Sequence, residues 1–452
     1  MEELLKLEKE IIQIYQKVVI PVADDYGFQL PNRKTDAPGQ PRILLLGNHS
    51  SGKSSFINSI LGREVQKTGL APIDDGFTFI TYGEKQDQFD GQTLITHPEL
   101  ACSSLEEFGP AFVSRLRLKT EPHELLKEIS LVDSPGMIDA VKGDQPRGYD
   151  FPASVRYFAE TSDLILFFFD PEKPGTTGET VSIFTETLAG LEHKLLIILN
   201  KADLFETIRD FARTYGALCW NLSKAIRTKD IPHIYNLYLP ESKQNDHKSI
   251  PLDDFDESRE EVLQEIRRAP LRRFDNLISD LHKTCKRLAM FANICRQISE
   301  DYFKIRVRTW GAVGIVAILT LVATYLTRSA IEWTTPLYVF LGGAAGIAAT
   351  WGIGRWLRNR FLRRCHDLNY LEAVFFRVYH DELNVRNRPD LRALWETLRE
   401  GVSRTIKTLG PERLPRSFGA KRQIRRLLDI ADEKAPALRR SVSEFHKRNH
   451  EG

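Results

Sequence analysis

The stretch Arg42-Ile-Leu-Leu-Leu-Gly-Asn-His-Ser-Ser-Gly-Lys-Ser-Ser-Phe-Ile-Asn58 decides the fold class of this chain. Ile43 to Leu46 is a short apolar run of the kind that forms a fully buried strand. Gly47 to Ser54 then fits G-x-x-x-x-G-K-[ST], and Ser55 to Leu61 reads as the helix that follows. Strand, glycine loop and helix in that order make a phosphate-binding P-loop. The glycines let successive backbone N–H groups converge on phosphate oxygens at a helix N-terminus, where the dipole favours anions. On this reading Gly47, Asn48, His49, Ser50, Ser51, Gly52, Lys53, Ser54 and Ser55 surround a nucleotide. Lys53 reaches its β- and γ-phosphates, and the Ser54 hydroxyl ligates Mg²⁺.

Two further motifs follow, each at the end of an apolar run. Gly69 to Gly76 lies where a switch loop belongs, and Phe77 to Tyr82 reads as a strand. Ile129-Ser-Leu-Val-Asp-Ser-Pro-Gly136 is a strand ending in D-x-x-G. In GTPase-like folds the aspartate, here Asp133, holds Mg²⁺ through water, and the glycine N–H, here Gly136, senses the γ-phosphate. Leu164 to Phe169 and Leu195 to Leu199 are buried strands, with Val181 to Leu191 helical between them. The second strand ends in Asn200-Lys-Ala-Asp203, an N-K-x-D motif. The Asp203 carboxylate can accept two hydrogen bonds from a guanine edge while Lys201 packs along the ring. Capping of the next helix by Asn200 and Asp203 is the plainer alternative. Alternating strands and helices predict an α/β domain with a mainly parallel sheet and its ligand at the carboxyl ends of the strands.

Composition narrows the class. The chain has 452 residues, 42% hydrophobic and 27% charged, enough for two or three domains with sizeable cores. A net charge of +2 gives no global field directed at nucleic acid. Cys102, Cys219, Cys285, Cys295 and Cys365 are scattered without metal-ligand spacing, which suits a reducing compartment. The N-terminus has no signal-peptide core, and residues 2–24 carry apolar positions at helical spacing. Pro31 to Pro41 is a polar connector.

The second half reads as helical. Thr214 to Lys224 is amphipathic, and its Trp220 fits either a core or an interface. Asp253 to Lys304 has the charge of a long bundle or stalk. Trp310 to Leu326 and Thr334 to Gly354 then contain no charged residue, and each is long enough to cross a hydrocarbon core as a helix. A buried hairpin in a soluble core is the alternative. Gly342-Gly-Ala-Ala-Gly346 in the second run allows close helix contact. Lys304, Arg306 and Arg308 precede the first run, and Arg355, Arg358, Arg360, Arg363 and Arg364 follow the second. The positive-inside rule therefore puts both termini in the cytoplasm. Beyond Leu368 the chain is polar and basic, with helical patches at Leu391 to Ile406 and Arg422 to Ala431; basic residues at Gln423 to Arg426 fit either anionic lipid or a solvated face.

Gly47 to Ser54 has the G-x-x-S-x-G-K-S form of the dynamin superfamily. More closely, the chain resembles the Eps15-homology-domain (EHD) membrane-remodelling ATPases. The resemblance is carried by Ile14-Tyr-Gln-Lys17, Asp24 to Phe28, Gly136 with Arg147-Gly-Tyr-Asp-Phe151, Asn200 to Asp203, Tyr215-Gly-Ala-Leu-Cys-Trp220 and Glu261 to Leu281. It covers roughly residues 1–308. It implies an extended GTPase fold, a helical domain that contacts membrane, and nucleotide-dependent assembly into higher oligomers. It also implies that the helix bearing Trp220 pairs two nucleotide domains in a homodimer. Three departures stand out. Pro72-Ile73-Asp74-Asp75 replaces Pro-Thr-Thr-Asp, so Asp74 stands where a Mg²⁺-ligating, water-positioning threonine is expected. No D-x-[DN]-x-[DN]-G loop follows residue 360, so no C-terminal Eps15-homology domain is expected. Two apparent spans occupy the place of a shallow membrane-inserting tip, as in mitofusin-type and bacterial dynamin-like proteins.

The expectation is a membrane-anchored nucleoside triphosphatase with Mg²⁺ and GTP or ATP. Its segments are an N-terminal helical piece (1–40), the nucleotide domain (41–245), a stalk (246–308), a transmembrane hairpin (309–355) and a basic helical end (356–452). Lys53, Ser50, His49 and Asp74 are the catalytic candidates, with His49 where dynamins carry a water-positioning glutamine. Ser54, Asp133 and Asp74 are the metal candidates. Lipid is the expected partner and nucleic acid is not. A nucleotide-gated scaffold with vestigial hydrolysis is the rival reading. A channel is disfavoured by two spans without intramembrane charge. N-K-x-D points to guanine, whereas the EHD family keeps that motif and uses ATP.

Overall fold

The structure, a computed structural model, describes residues 2–30, 40–68, 76–97, 100, 102–137, 147–172, 178–225, 233–238, 253–327, 334–384, 388–416 and 418–450. Two compact units emerge: residues 32–276, and residues 1–31 together with 277–452. This differs from the expected segmentation in two places. The N-terminal helix is grouped with the C-terminal helices instead of standing alone. Residues 253–276 lie with the sheet instead of a stalk, because Val262, Ile266 and Ala269 present an apolar seam to it.

Among the described residues the first unit is built on eight strands: β1 (Arg42–Gly47), β2 (Thr78–Tyr82), β3 (Asp87–Asp90), β4 (Arg117–Glu121), β5 (Ser130–Asp133), β6 (Leu164–Phe169), β7 (Leu195–Leu199) and β8 (Ile234–Asn236). Their order is β3-β4-β2-β5-β1-β6-β7-β8. All neighbours are parallel except β2 with β5 and β3 with β4. Side chains alternate across a strand, so β1 feeds two cores. Leu44 and Leu46 join Val155, Phe158 and Ala159 of helix Phe151–Thr161. Ile43 and Leu45 join Phe56, Ile57 and Leu61 of helix Lys53–Leu61. All four β1 side chains are fully buried, each contributing roughly 1.5–3 kcal/mol. The continuous apolar runs are thus the signature of a sheet covered on both faces.

In the second unit the N-terminal helix runs from Glu2 through a wider turn at Tyr15–Val19 to Tyr26. Gly27, at φ +61°, ends it in the left-handed conformation that glycine adopts without strain. Phe28 meets Phe291 edge-on at 5.0 Å, and Phe375 stacks on Trp395 at 5.1 Å. Ser299 Oγ lies 2.8 Å from Pro411 O and 3.1 Å from Leu414 O. The C-terminal part is helical well beyond the expected patches, over Leu368–Val378, Pro389–Leu409 and, through a wide turn, 418–450. Leu371, Val402, Ile406 and Leu427 supply its buried stripe.

Both uncharged runs lie in long helices, Ala269–Thr327 and Thr334–Cys365. These are long and apolar enough to cross a membrane. None of the most apolar window of the first is buried, and 6% of that of the second. Ile318, Leu321, Tyr325, Tyr338 and Phe340 all face outward from this chain. The two helices run antiparallel, with Thr309 beside Gly354, Val316 beside Gly346 and Thr320 beside Gly343. A Cβ at position 343 would lie 2.0 Å from Thr320 Cγ2, so only glycine permits this approach.

Candidate functional site

The cleft forms where β1, β5 and β7 end. It has a volume of about 240 Å³ and is lined by His49 to Ser55, Gln66 to Thr68, Asp133 to Gly136 and Lys201, among others. Gly52 stands at the start of helix Lys53–Leu61 with φ +89°, and no side chain caps that end. A Cβ on Gly52 would fall 2.1 Å from Asn200 Nδ2, so the P-loop needs glycine for both its dihedral and its clearance. With no competing cap, the first amides of the helix are left to an anion.

The expected residues converge. Lys53 Nζ donates to Gly47 O at 3.0 Å and Asn48 O at 3.1 Å. Ser54 Oγ donates to Asp133 Oδ2 at 3.0 Å, joining two of the three metal candidates across 79 residues of sequence. These hard oxygens fit Mg²⁺, which takes one or two protein ligands and keeps the rest of its shell from water and phosphate. Among the described residues no group of three or more His, Cys, Asp or Glu could hold a metal ion. Ser50, at φ +63°, bonds His49 Nδ1 through its hydroxyl at 2.9 Å. Gly136 sits against His49, where a Cβ would come within 2.6 Å of His49 Cα. His49 N donates to Met137 O at 3.0 Å and Met137 N to Gly47 O at 3.1 Å, which ties the D-x-x-G turn to the P-loop.

The N-K-x-D segment divides its work. Asn200 Nδ2 donates to Ser51 O at 2.9 Å, bracing the P-loop from behind. Lys201, at φ +57°, pairs with Asp170 Oδ2 at 3.0 Å and lines the cleft. Asp203 is buried in the turn Ala202–Leu204 and lies outside the cleft lining. Asp74, with the rest of 69–75, lies outside the described residues. Trp220 is 65% exposed on helix Ile208–Ala225, while Leu218 and Leu222 of the same helix are buried, so Trp220 is not core.

Sequence reasoning missed a second tier. Arg147 Nη2 donates to Gly136 O at 2.8 Å, its Nη1 pairs with Glu179 at 2.8 Å, and its guanidinium lies 4.0 Å over the Phe151 ring. Thr180 Oγ1 donates to Asn48 Oδ1. A chain of contacts thus runs from the P-loop to the D-x-x-G turn. Its only sequence signal was the Arg147-Gly-Tyr-Asp-Phe151 signature, which carried no role.

Burial pushes the Lys53 ammonium down to about 8 from its ordinary 10.5; Asp133 opposes the fall and Arg147 adds to it. Phosphate charge placed beside Lys53 favours its protonated form and raises the value again. Nucleotide binding should therefore take up a proton above about pH 8, and affinity should fall as pH rises through 8. Calorimetry in buffers of different ionisation enthalpy measures this. Equal apparent enthalpies at pH 9 would contradict it.

Strand–loop–helix, D-x-x-G and N-K-x-D at neighbouring strand ends define a P-loop nucleotide-binding domain of the GTPase type. Residues 43–202 match the dynamin family. Those residues form a dynamin-type domain, and the chain is similar to the EH domain-containing proteins. It is 34% identical over 243 residues to EH domain-containing protein 2 of Rattus norvegicus, covering 52% of this chain and 44% of that protein. With EH domain-containing protein 1 of Arabidopsis thaliana it shares 29% over 271 residues, 59% of this chain and 49% of that one. The chain spans about half the length of these curated relatives. A solved oligomerised bacterial dynamin pair is similar at 12% identity with a TM-score of 0.39, covering 95% of this chain and 88% of that one.

Proposed function

We propose that this protein is a membrane-anchored nucleoside triphosphatase that hydrolyses GTP or ATP and assembles on a membrane to remodel, tether or stabilise it. The observation that carries the proposal is the meeting of Lys53, Ser54 and Asp133 in one cleft beneath the Gly136 turn. The P-loop amides and Lys53 hold the triphosphate, and Ser50 contacts its β- and γ-oxygens. Mg²⁺, held by Ser54 and, through water, Asp133, would neutralise the charge developing on those oxygens. His49, with Nδ1 engaged by Ser50, has Nε2 left to orient the attacking water. Asp74 stands as a further metal-side carboxylate or a disabling substitution. Lys201 lies along the base, the Asp203 carboxylate beside it would read a guanine edge, and Asn200 braces the P-loop from behind.

The two apolar helices anchor the protein, and the arginines beside their outer ends keep both termini in the cytoplasm. Trp220 supplies an exposed aromatic for pairing two nucleotide domains in a homodimer. Steady-state phosphate release from GTP and ATP, with and without liposomes, tests the whole. Slow basal turnover stimulated by lipid is expected, and Trp220→Ala should keep the basal rate while losing most of the stimulation. Nucleotide binding without any turnover on liposomes would favour a nucleotide-gated scaffold, the reading to which the Ile73-Asp74 substitution points.

A further inference from the structure

Gln66 is almost fully buried, 3% exposed, and its side chain ends at the metal carboxylate. Its Nε2 donates to Asp133 Oδ2 at 2.8 Å, the same oxygen that accepts from Ser54. Its Oε1 accepts from Lys119 Nζ at 2.5 Å, and that ammonium also donates to Val65 O at 2.8 Å. The amide cannot be reversed. Lysine has only donors and an ionised carboxylate only acceptors, so the oxygen must face Lys119 and the nitrogen Asp133. The backbone is held as firmly. Asn58, on the P-loop helix, accepts from Val65 N and Gln66 N through Oδ1 and donates to Gln66 O, at 2.9, 2.8 and 2.8 Å.

These bonds form one line from a cation on β4 through a locked amide to the carboxylate on β5. Lys119 polarises the amide, and the amide presents a strengthened N–H to Asp133. Ser54 cannot fix Asp133 by itself, because its hydroxyl is the group that turns to the metal. Gln66 has no such second task. We propose that Gln66, backed by Lys119, is a positioning residue that holds Asp133 for Mg²⁺ and thereby sets the metal affinity of the nucleotide complex. This inference rests on reading the cleft as a Mg²⁺–triphosphate site. Partners that orient a ligating or water-bridging carboxylate commonly change metal affinity by about 10- to 100-fold when removed.

The test uses the full chain in detergent, loaded with GTP or ATP analogues that resist hydrolysis. Mn²⁺ affinity is read by electron paramagnetic resonance, and nucleotide affinity is read in EDTA. Gln66→Met keeps the length of the side chain and removes both amide bonds. It should weaken Mn²⁺ binding by about 10- to 100-fold and leave metal-free nucleotide affinity unchanged. Gln66→Glu keeps an acceptor for Lys119 but sets a carboxylate against Asp133, so it should be at least as damaging. Lys119→Met should give a smaller loss in the same direction. Mn²⁺ affinity in Gln66→Met within about twofold of wild type would overturn the proposal. So would a parallel fall of metal and metal-free nucleotide affinity, which marks general damage to the loop. Failure of the wild-type chain to bind either nucleotide would instead refute the reading of the cleft itself, and the inference with it.

Discussion

Lys53→Ala should abolish measurable triphosphate binding. Lys53 is 6% exposed, and its ammonium donates to two P-loop carbonyls, Gly47 O and Asn48 O. Removing the ammonium deletes the charge that offsets the phosphates. A hydrogen bond to a charged group contributes about 1.5–3 kcal/mol, and the lysine supplies two of them. A loss of at least about 100-fold in affinity follows. Calorimetric titration with GTP and with ATP reads it directly, with thermal unfolding as the control for an intact fold. Unchanged affinity would remove the P-loop assignment.

The second large effect concerns residues 310–354. Carbonate extraction should leave the intact protein in the membrane pellet, whereas a chain lacking 310–354 should appear in the supernatant. The helices containing these runs bury almost none of their most apolar windows against the protein. Trp310, Trp351 and Trp356 are exposed near their outer ends, at the level where tryptophan favours a lipid–water interface. A charge at the centre of such a span costs about 2.5–3.5 kcal/mol on insertion scales, so Ile318→Arg combined with Phe340→Arg should also shift the protein toward the supernatant. Recovery of the intact chain in the alkaline supernatant would show that the exposed surface is covered by protein instead.

The central sheet was legible because its strands are buried on both faces. Ile43 to Leu46, Leu164 to Phe169 and Leu195 to Leu199 are unbroken apolar runs; the P-loop and N-K-x-D follow the first and last of them, and D-x-x-G ends the shorter run Ser130–Asp133. The outlying strands were not legible. Asp87-Gln-Phe-Asp90 is exposed throughout, and Leu118 is the one apolar residue of Arg117-Leu-Lys-Thr-Glu121, so neither shows the pattern of a core strand. The site divides the same way. Lys53, Ser54 and Asp133 announce themselves by spacing. Gln66 does not, because its role depends on Asn58 and Lys119, which only the fold brings together. For Trp220, helical periodicity allowed either face, and the neighbouring register of Leu218 and Leu222 decided the matter.

The seam between the two apolar helices has a mechanical consequence. At its closest approach Thr320 donates its hydroxyl to Val316 O of its own helix, at 2.7 Å, and sets its Cβ substituents directly against Gly343. Thr350 likewise donates within its own helix, to Gly346 O at 2.9 Å. These hydroxyls are thus engaged within their own helices, and the close approach at Gly343 is one of packing. Such contact fixes how near the helices lie and leaves their tilt free. On the proposed membrane-anchored reading, the pair would lean in a thin bilayer and straighten in a thick one at a cost of fractions of a kcal/mol per ångström of mismatch. Such a hairpin would stay inserted while the thickness of its host membrane changes around it.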